Sequence, residues 1–235
     1  MDKILLPIEY LEEYKHLVGA LGENIKTVEV HGISDVQKSI LTVLLSKHFA
    51  KSVLLITHND ILARKIYEDI SNFDPSAAVL LPSWEMVFHK IDARSNEISI
   101  KRLKALNSII TKKRVILCAS VEALLNRLPK PYIFRTKCLK IKVGDKMPVE
   151  DFLAYFSQTG YERVDMIEGC GQFSIRGGII DFYGPINDNP VRIELFDDEI
   201  DSIRYFDLET QRSITKLDMV ELFPMREMLL KHEDF

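Results

Sequence analysis

The chain has 235 residues, of which 46% are hydrophobic and 28% are charged, and its formal net charge is −4. This length allows one large domain or two ordinary domains, and the lack of a basic excess argues against nucleic acid as the main partner. No apolar run approaches the roughly 18 to 20 residues of a membrane span, and the N-terminus lacks a signal-peptide pattern. We therefore expect a soluble, cytoplasmic protein with no membrane partner.

Residues 1–130 alternate short apolar runs with amphipathic stretches. The runs predicted to be strands are Thr27–His31, Val53–Thr57, Ala78–Leu81 and Arg114–Ser120. The stretches with helical spacing of apolar residues are Lys38–Phe49, Ile61–Ile70, Glu97–Ile110 and Val121–Leu128. Strands and helices that alternate at this spacing predict an α/β domain with a parallel, doubly wound sheet.

The pattern changes near Pro129 and Pro131, and we predict a domain boundary at residue 130. Residues 131–215 contain one predicted helix, Val149–Ser157, among strand candidates at Gln172–Arg176, Gly178–Tyr183, Val191–Phe196 and Ser202–Phe206. Turn-like stretches join these strands, which predicts a small α+β domain with antiparallel strands. This domain has 10 Lys and Arg against 15 Asp and Glu, which favours a protein partner.

The last residues, 216–235, hold one more strand candidate, Lys216–Pro224, followed by a helical start. Since the chain stops as this helix begins, we expect the segment to be cut from a longer protein. In that protein we expect it to be the start of a return to the first domain.

A nucleotide-binding motif is present in altered form. Gly32, Lys38 and Ser39 have the spacing of the phosphate loop G-x-x-x-x-G-K-[ST], but Gln37 stands where the second glycine belongs. In a working loop that glycine allows a left-handed backbone close to the phosphate, and Gln37 would cost ~1 to 2 kcal/mol in that conformation. Asp35 would also face a polyphosphate with like charge. We therefore predict a degenerate nucleotide loop and no cofactor for these residues.

No other motif predicts catalysis. The strand candidates Val53–Thr57 and Val115–Ala119 end without a carboxylate for magnesium, and the six histidines form no H-E-x-x-H pattern. No serine lies in a G-x-S-x-G turn. The cysteines Cys118, Cys138 and Cys170 are odd in number and far apart, so we predict inert reduced thiols and no metal site.

Two long stretches carry a family resemblance. Gly160–Phe182 (GYERVDMIEGCGQFSIRGGIIDF) and Pro190–Ser213 (PVRIELFDDEIDSIRYFDLETQRS) closely resemble the N-terminal part of the bacterial transcription-repair coupling factors (Mfd). The resemblance also covers Leu80–Glu85 and Ser120–Pro129, and so spans nearly the whole chain. In that family the N-terminal module looks like a copy of UvrB that has lost ATPase and damage-binding function but keeps the surface by which UvrB docks UvrA.

The resemblance implies a non-catalytic module that recruits UvrA to stalled transcription complexes. RNA polymerase and DNA, and ATP with magnesium, are then bound by parts of the family's proteins that these residues lack. UvrB itself has an intact phosphate loop and an aromatic-rich hairpin, whereas Phe88–Asn96 is short and poor in aromatic residues here. The alternatives are a functional ATPase or helicase subunit of UvrB type and, less favoured, a DNA-contacting domain.

Strand alternation and the resemblance together select candidate docking residues. Alternation places Phe173 and Ile175 on one face of their strand, and Ser174 and Arg176 on the other. It also places Arg192 and Glu194 on one face of theirs. If the apolar residues pack on the predicted helix, the exposed face carries Arg176, Arg192 and Glu194. The resemblance implies UvrA contacts at two arginines, with five weaker companions: Arg163 and Arg176, then Tyr161, Phe173, Asp181, Arg192 and Glu194. Ser174 stands where the UvrB pattern has a further arginine. The stretch Thr210–Ser213 (TQRS) is expected to pack against later domains of a longer protein.

Overall fold

The computed structural model describes residues 7–23, 25–84, 92–125, 127–128 and 130–227. The chain forms two compact units, one of Met1–Met86 with Ser108–Asn126 and one of Val87–Asn107 with Arg127–Phe235. Glu85, residues 88–91 and residues 228–235, which hold most of the helical start predicted at the end of the chain, lie outside the described residues.

The first unit contains a parallel three-stranded sheet. Its elements, in chain order, are α1 (Glu12–Gly22), α2 (Asp35–His48), β1 (Val53–Thr57), α3 (Asp60–Phe73), β2 (Ala78–Leu81), β3 (Ile116–Ser120) and α5 (Val121–Leu125). The strand order is β1-β3-β2, and Val53 and Ala78 both pair with Ile116. This alternation of helices with a parallel sheet confirms the predicted α/β class.

Buried side chains of α2, α3 and the sheet form the core of this unit, among them Val43, Leu44, Ile66, Ile70 and Ile116. The helix α3 begins where the sequence offers a cap, because the Asn59 side chain accepts a hydrogen bond from Leu62 N at 2.8 Å. The predicted strand Thr27–His31 is wrong: these residues form no strand, and Val30 is 44% exposed. The alternation of apolar and polar residues in this stretch therefore does not mark a strand with one buried face.

The second unit is built on an antiparallel sheet. Its elements are α4 (Asp92–Thr111, up to residue 107), α6 (Pro131–Lys137), β4 (Leu139–Lys142), α7 (Val149–Thr159), β5 (Glu162–Arg163), β6 (Gln172–Arg176), β7 (Ile179–Phe182), β8 (Val191–Phe196), β9 (Glu199–Phe206), β10 (Ser213–Leu217) and β11 (Met219–Leu222). Six strands form one sheet in the order β10-β9-β8-β7-β6-β5, in which only β5 and β6 run parallel. The remaining two strands, β4 and β11, pair with each other.

An aromatic cluster joins α7 to one face of this sheet. Phe156 lies at its centre, with ring centroids 4.9 Å from Phe173, 4.9 Å from Tyr161 and 5.3 Å from Phe182. The helix ends at Gly160, whose φ of 92° is left-handed. The left-handed backbone favours glycine there, and a Cβ atom, which would lie 2.6 Å from Arg226 Cγ, would also displace that side chain.

The division into units differs from the predicted domains. Residues 92–107 belong to the second unit, although the sequence pattern assigned them to the first. Residues 216–227 also stay in the second unit, where a return to the first was predicted, because β10 pairs with β9 and β11 pairs with β4. The single strand expected at Lys216–Pro224 is two strands that separate at Asp218.

Among the described helices, none combines the length and the apolar character needed to cross a membrane. The described residues also contain no cluster of His, Cys, Asp and Glu that could hold a metal ion. Burial raises the pKa of Cys118 to about 12, and it raises the pKa of Cys138 and of Cys170 to about 11. All three thiols are therefore protonated at neutral pH.

Candidate functional site

One face of the six-stranded sheet is polar, and it lies opposite the aromatic cluster. The strand register aligns two rows of residues across β6, β7, β8 and β9 on this face. The first row is Ser174, Asp181, Arg192 and Arg204. The second row is Arg176, Ile179, Glu194 and Ser202. We call these eight residues the polar sheet face.

Asp181 holds two arginines of the polar sheet face. Its side chain is 3% exposed, and its two oxygens accept three charged hydrogen bonds. Arg176 Nη2 donates to Oδ2 at 2.7 Å, while Arg192 donates from Nε to Oδ1 at 2.6 Å and from Nη2 to Oδ2 at 2.8 Å. The bond to Asp181 is the main cause of a raised Arg192 pKa, so Arg192 carries a fixed positive charge.

The two arginines differ in what they offer to a partner. The Arg192 side chain is 15% exposed, and its guanidinium lies 4.5 Å from the centre of the Phe206 ring. The Arg176 side chain is 49% exposed, and Asp181 is its one ion-pair partner in the described part of the chain. Arg176 is therefore held by a carboxylate on one side while part of its guanidinium remains open to solvent.

Arg163 lies elsewhere, on the short edge strand β5. Its Cα pairs with that of Phe173, and its side chain is exposed. Within the described residues Arg163 has no hydrogen bond or ion pair from its side chain. The structure thus leaves both predicted arginines accessible, one fixed by a carboxylate and one without a fixed orientation.

A second charged cluster adjoins the first on the polar sheet face. Glu194 accepts a hydrogen bond from Ser202 Oγ at 2.8 Å and is paired with Arg204, whose Nη1 donates at 3.0 Å. Burial acts to raise the pKa of Glu194, but the hydrogen bonds from Ser202 and Arg204 outweigh it and leave that pKa below its ordinary value. Glu194 is therefore ionised at neutral pH and already paired.

Two apolar side chains of β7 and β8 are exposed. Ile179, opposite both Arg176 and Glu194 in the register, is 37% exposed, and Phe196 at the end of β8 is 80% exposed. Sequence reasoning missed both, and it also missed Ser202 and Arg204. Alternation along β9 was the available signal, since it places these last two residues on one face.

Tyr161 and Phe173, two predicted companions, are core residues. They are 6% and 1% exposed, and the Tyr161 hydroxyl donates to Phe223 O at 2.6 Å. Burial raises the pKa of Tyr161 well above its usual value. Neither side chain is available at the surface, so both support the sheet rather than present a contact.

The residues of the degenerate loop form the capped start of the helix α2. Ser34 Oγ accepts from Gln37 N at 3.4 Å, and the Gln37 side chain accepts from Ser34 N at 2.7 Å, which makes a capping box. Gln37 is part of α2 and has a helical backbone, so the left-handed strain considered from the sequence does not arise. Gly32 does have a left-handed φ of 76°.

The other two loop residues are engaged locally. Lys38 Nζ donates to Asp35 Oδ1 at 3.2 Å. The Ser39 hydroxyl is buried and donates to Asp35 O at 3.1 Å. Asp69 Oδ2, 3.4 Å from Ser39 Oγ, is a second acceptor within reach. The lysine and the hydroxyl that a phosphate loop would direct at a nucleotide are thus bound to neighbouring acidic residues.

Asp60 is a carboxylate near the carboxyl ends of the parallel strands that the sequence analysis did not identify. Its oxygens accept hydrogen bonds from the hydroxyls of Ser83 and Ser120, and from Ser83 N at 3.0 Å. Burial acts to raise its pKa, but these hydrogen bonds hold the pKa below its ordinary value. Asp60 therefore joins the last residue of β3 to the segment that follows β2.

Comparison with known proteins supports the resemblance seen in the sequence. Residues 139–228 match the family described as the UvrB interaction domain. The chain is 35% identical over 235 residues to the transcription-repair-coupling factor of Bacillus subtilis, and 32% identical over 200 residues to that of Staphylococcus haemolyticus. It is 31% identical over 237 residues to UvrABC system protein B of Thermosipho africanus.

The coverage of these relatives is unequal. The matches span 100%, 84% and 94% of this chain, but only 20%, 17% and 36% of the three relatives, in the same order. The predicted resemblance to the coupling factors is confirmed, and the chain corresponds to about a fifth of the length of those relatives. The matched domain contains every residue of the polar sheet face.

Proposed function

Since the chain resembles the transcription-repair coupling factors along its whole length and contains a match to the UvrB interaction domain, we propose that it is a non-catalytic, UvrB-like docking module. Its partner is UvrA, which it recruits to stalled transcription complexes so that nucleotide excision repair begins there. RNA polymerase, DNA, and ATP with magnesium are bound by other parts of a longer cytoplasmic protein.

The arrangement of Arg176 is the observation that carries this proposal. A buried carboxylate orients its guanidinium, which is half exposed on a sheet face within the matched domain. An arginine whose side-chain entropy is already reduced loses less on binding, and it can form paired hydrogen bonds with a carboxylate of a partner. Arg163 supplies a second accessible positive charge.

The contacts of the degenerate loop favour docking over the ATPase alternative. Lys38 is held by Asp35, and Gln37 closes the capping box where a phosphate would have to approach the backbone. Binding a nucleotide here would first require these contacts to break. We therefore propose that docking does not depend on ATP.

Calorimetric titration of the protein with purified UvrA tests the proposal. We expect binding by the wild type that is unchanged by ATP, and a loss of about tenfold or more in affinity for Arg176→Ala, since a contact to a charged group is worth ~1.5 to 3 kcal/mol. Arg163→Ala is expected to weaken binding by a smaller factor. Lys142→Ala, which removes an exposed charge on β4, is the matched control.

Two results would contradict the proposal. The first is no UvrA binding by the wild type together with heat released on addition of ATP alone, which would support an ATPase. The second is equal weakening by Arg176→Ala and Lys142→Ala, which would mean that only net charge matters.

A further inference from the structure

The turn between β9 and β10, residues 207–212, contains the first three residues of the T-Q-R-S stretch, which the sequence analysis did not connect with the docking residues. Asp207 organises it: the Thr210 backbone N and hydroxyl each donate to Asp207 Oδ1 at 2.8 Å, and Asp207 N donates to Arg212 O at 2.9 Å. Gln211 N donates to Asp207 O at 2.8 Å. These bonds hold Gln211 at a φ of 59°, a left-handed conformation that residues other than glycine rarely adopt.

The Gln211 side chain connects this turn to the polar sheet face. Its Nε2 donates to Leu208 O at 2.8 Å, and its Oε1 accepts from Arg192 Nη2 at 3.0 Å. The amide is therefore anchored on one side and holds a guanidinium on the other. An apolar side chain of the same length would fill the space but leave Arg192 without this acceptor.

A continuous series of hydrogen bonds leads from this turn to Arg176. Gln211 holds Arg192, Arg192 binds both oxygens of Asp181, and Asp181 Oδ2 accepts from Arg176. The Arg192 and Asp181 side chains are 15% and 3% exposed, so they act through Arg176 rather than by touching a partner. Arg176 is the end of the series that reaches solvent.

We propose that Gln211 is a positioning residue for docking: through Arg192 and Asp181 it fixes the guanidinium of Arg176 in the orientation that UvrA binds. This inference rests on the proposed function, because it assigns an orienting role within the same docking surface. It gives the T-Q-R-S turn a function within this chain, beside the packing against later domains expected from the sequence.

The decisive variant is Gln211→Met, which keeps the length of the side chain and removes its amide. We expect its affinity for UvrA to fall by about three- to tenfold, which is less than the effect of Arg176→Ala because the lost hydrogen bond acts on Arg176 only through Arg192 and Asp181. Gln211→Glu loses the bond to Leu208 O but gives Arg192 a charged acceptor, and its affinity is expected to stay within about twofold of wild type. Gln158→Met is the matched control, since Gln158 is exposed on α7 and makes no side-chain hydrogen bond within the described residues.

A second measurement reports the positioning itself. In ¹⁵N-resolved NMR spectra of the guanidinium groups, Gln211→Met is expected to shift the Arg192 and Arg176 Nε–H signals, and Gln158→Met to leave them in place. A purely structural role for Gln211 would change thermal stability without a selective effect on these two arginines.

The outcomes separate this inference from the proposed function. If wild type binds UvrA and Gln211→Met binds equally well, the positioning role is refuted while the docking function stands. Unchanged Arg176 and Arg192 signals in Gln211→Met refute it as well, whatever the affinity. A wild type that does not bind UvrA refutes the docking function, and with it the role of Gln211 in docking.

Discussion

Asp181 is the residue on which the polar sheet face most depends. Its oxygens bind two guanidinium groups, and its side chain is 3% exposed. A buried carboxylate is tolerated in a fold only when such partners compensate for its lost hydration. The arginines depend on it in turn, because Arg192 is 15% exposed and has little water to replace the carboxylate.

We expect Asp181→Asn to lower the free energy of unfolding by about 2 to 4 kcal/mol, because it removes the charge that compensates a largely buried arginine. Urea denaturation followed by circular dichroism measures this change. Arg176→Ala is expected to cost less than about 1 kcal/mol, since that side chain is half exposed.

The matched control for this prediction is Asp201→Asn, an exposed aspartate on β9. Asp201→Asn should leave stability within about 0.5 kcal/mol of wild type, as surface substitutions usually do. Equal stabilities for Asp181→Asn and Asp201→Asn would show that the buried ion pairs contribute no net stability.

Residue-scale prediction from the sequence succeeded where alternation was regular. It placed Arg176, Arg192 and Glu194 on one face, and the register shows that they share it. It did not reveal that Asp181 binds both Arg176 and Arg192. Such a contact depends on the register between strands, which turns and bulges set and a single-strand pattern does not contain.

The helix α2 shows at the element scale how a broken motif takes on a structural role. Ser34 and Gln37 form a capping box, so the substituted glycine position contributes to the start of the helix. Glycine at the same place would remove the reciprocal hydrogen bond and add backbone entropy to the unfolded chain.

Restoring the nucleotide-loop sequence by Gln37→Gly should therefore destabilise the protein by about 1 to 2 kcal/mol without creating ATP binding. The stability change is measured by urea denaturation, and ATP binding by calorimetry. Gln37→Glu keeps an acceptor for Ser34 N and is the control expected to retain stability. Tight ATP binding by Gln37→Gly would contradict the view that Lys38 and Ser39 are committed to local contacts.

Strand boundaries were predicted correctly for several strands but not for every inner one, since β9 begins at Glu199 and not at the predicted Ser202. The bounds of β6 and β8 match Gln172–Arg176 and Val191–Phe196, because each strand has an apolar face against α7. The chain near Thr27–His31 has alternation but no strand. Alternation over five residues is compatible with a strand, but the strand forms only where its backbone can pair with a neighbouring strand.

At the scale of the whole molecule, the stability of the fold at acidic pH depends on carboxylates in both units. Asp60 and Asp74 in the first unit and Glu194 in the second have lowered pKa values: burial acts to raise each pKa, but hydrogen bonds to the ionised form outweigh it. A carboxyl group whose pKa is lower in the folded state stabilises the fold above its ordinary pKa. That stability is lost as pH falls through the folded-state pKa.

We therefore expect the free energy of unfolding to be nearly level between about pH 5 and 7 and to fall below about pH 4. Urea denaturation at a series of pH values measures this dependence. Asp74→Asn, which removes the charge that Arg114 Nη2 binds at 2.6 Å, should lower stability at pH 7 and flatten the decline in acid. A stability that increases from pH 5 to pH 3 would contradict this assignment.

The organisation into units was the part of the whole molecule that sequence reasoning predicted least accurately. The change from parallel to antiparallel strands near residue 130 was visible in the residue pattern. The assignment of residues 92–107 and 216–227 to the second unit depends on long-range partners, such as Glu227, whose Oε1 accepts from Arg102 Nε at 2.6 Å. Partners 125 residues apart leave no local signal in the sequence.

The most direct test of the docking account is an isoleucine methyl NMR spectrum recorded with and without UvrA. Ile179 is 37% exposed on the polar sheet face, while Ile56 and Ile61, 55% and 81% exposed in the first unit, are internal controls. The account predicts that UvrA shifts or broadens the Ile179 methyl signal and leaves those of Ile56 and Ile61 in place. Perturbation of Ile56 and Ile61 with an unchanged Ile179 signal would place docking on the first unit and contradict it.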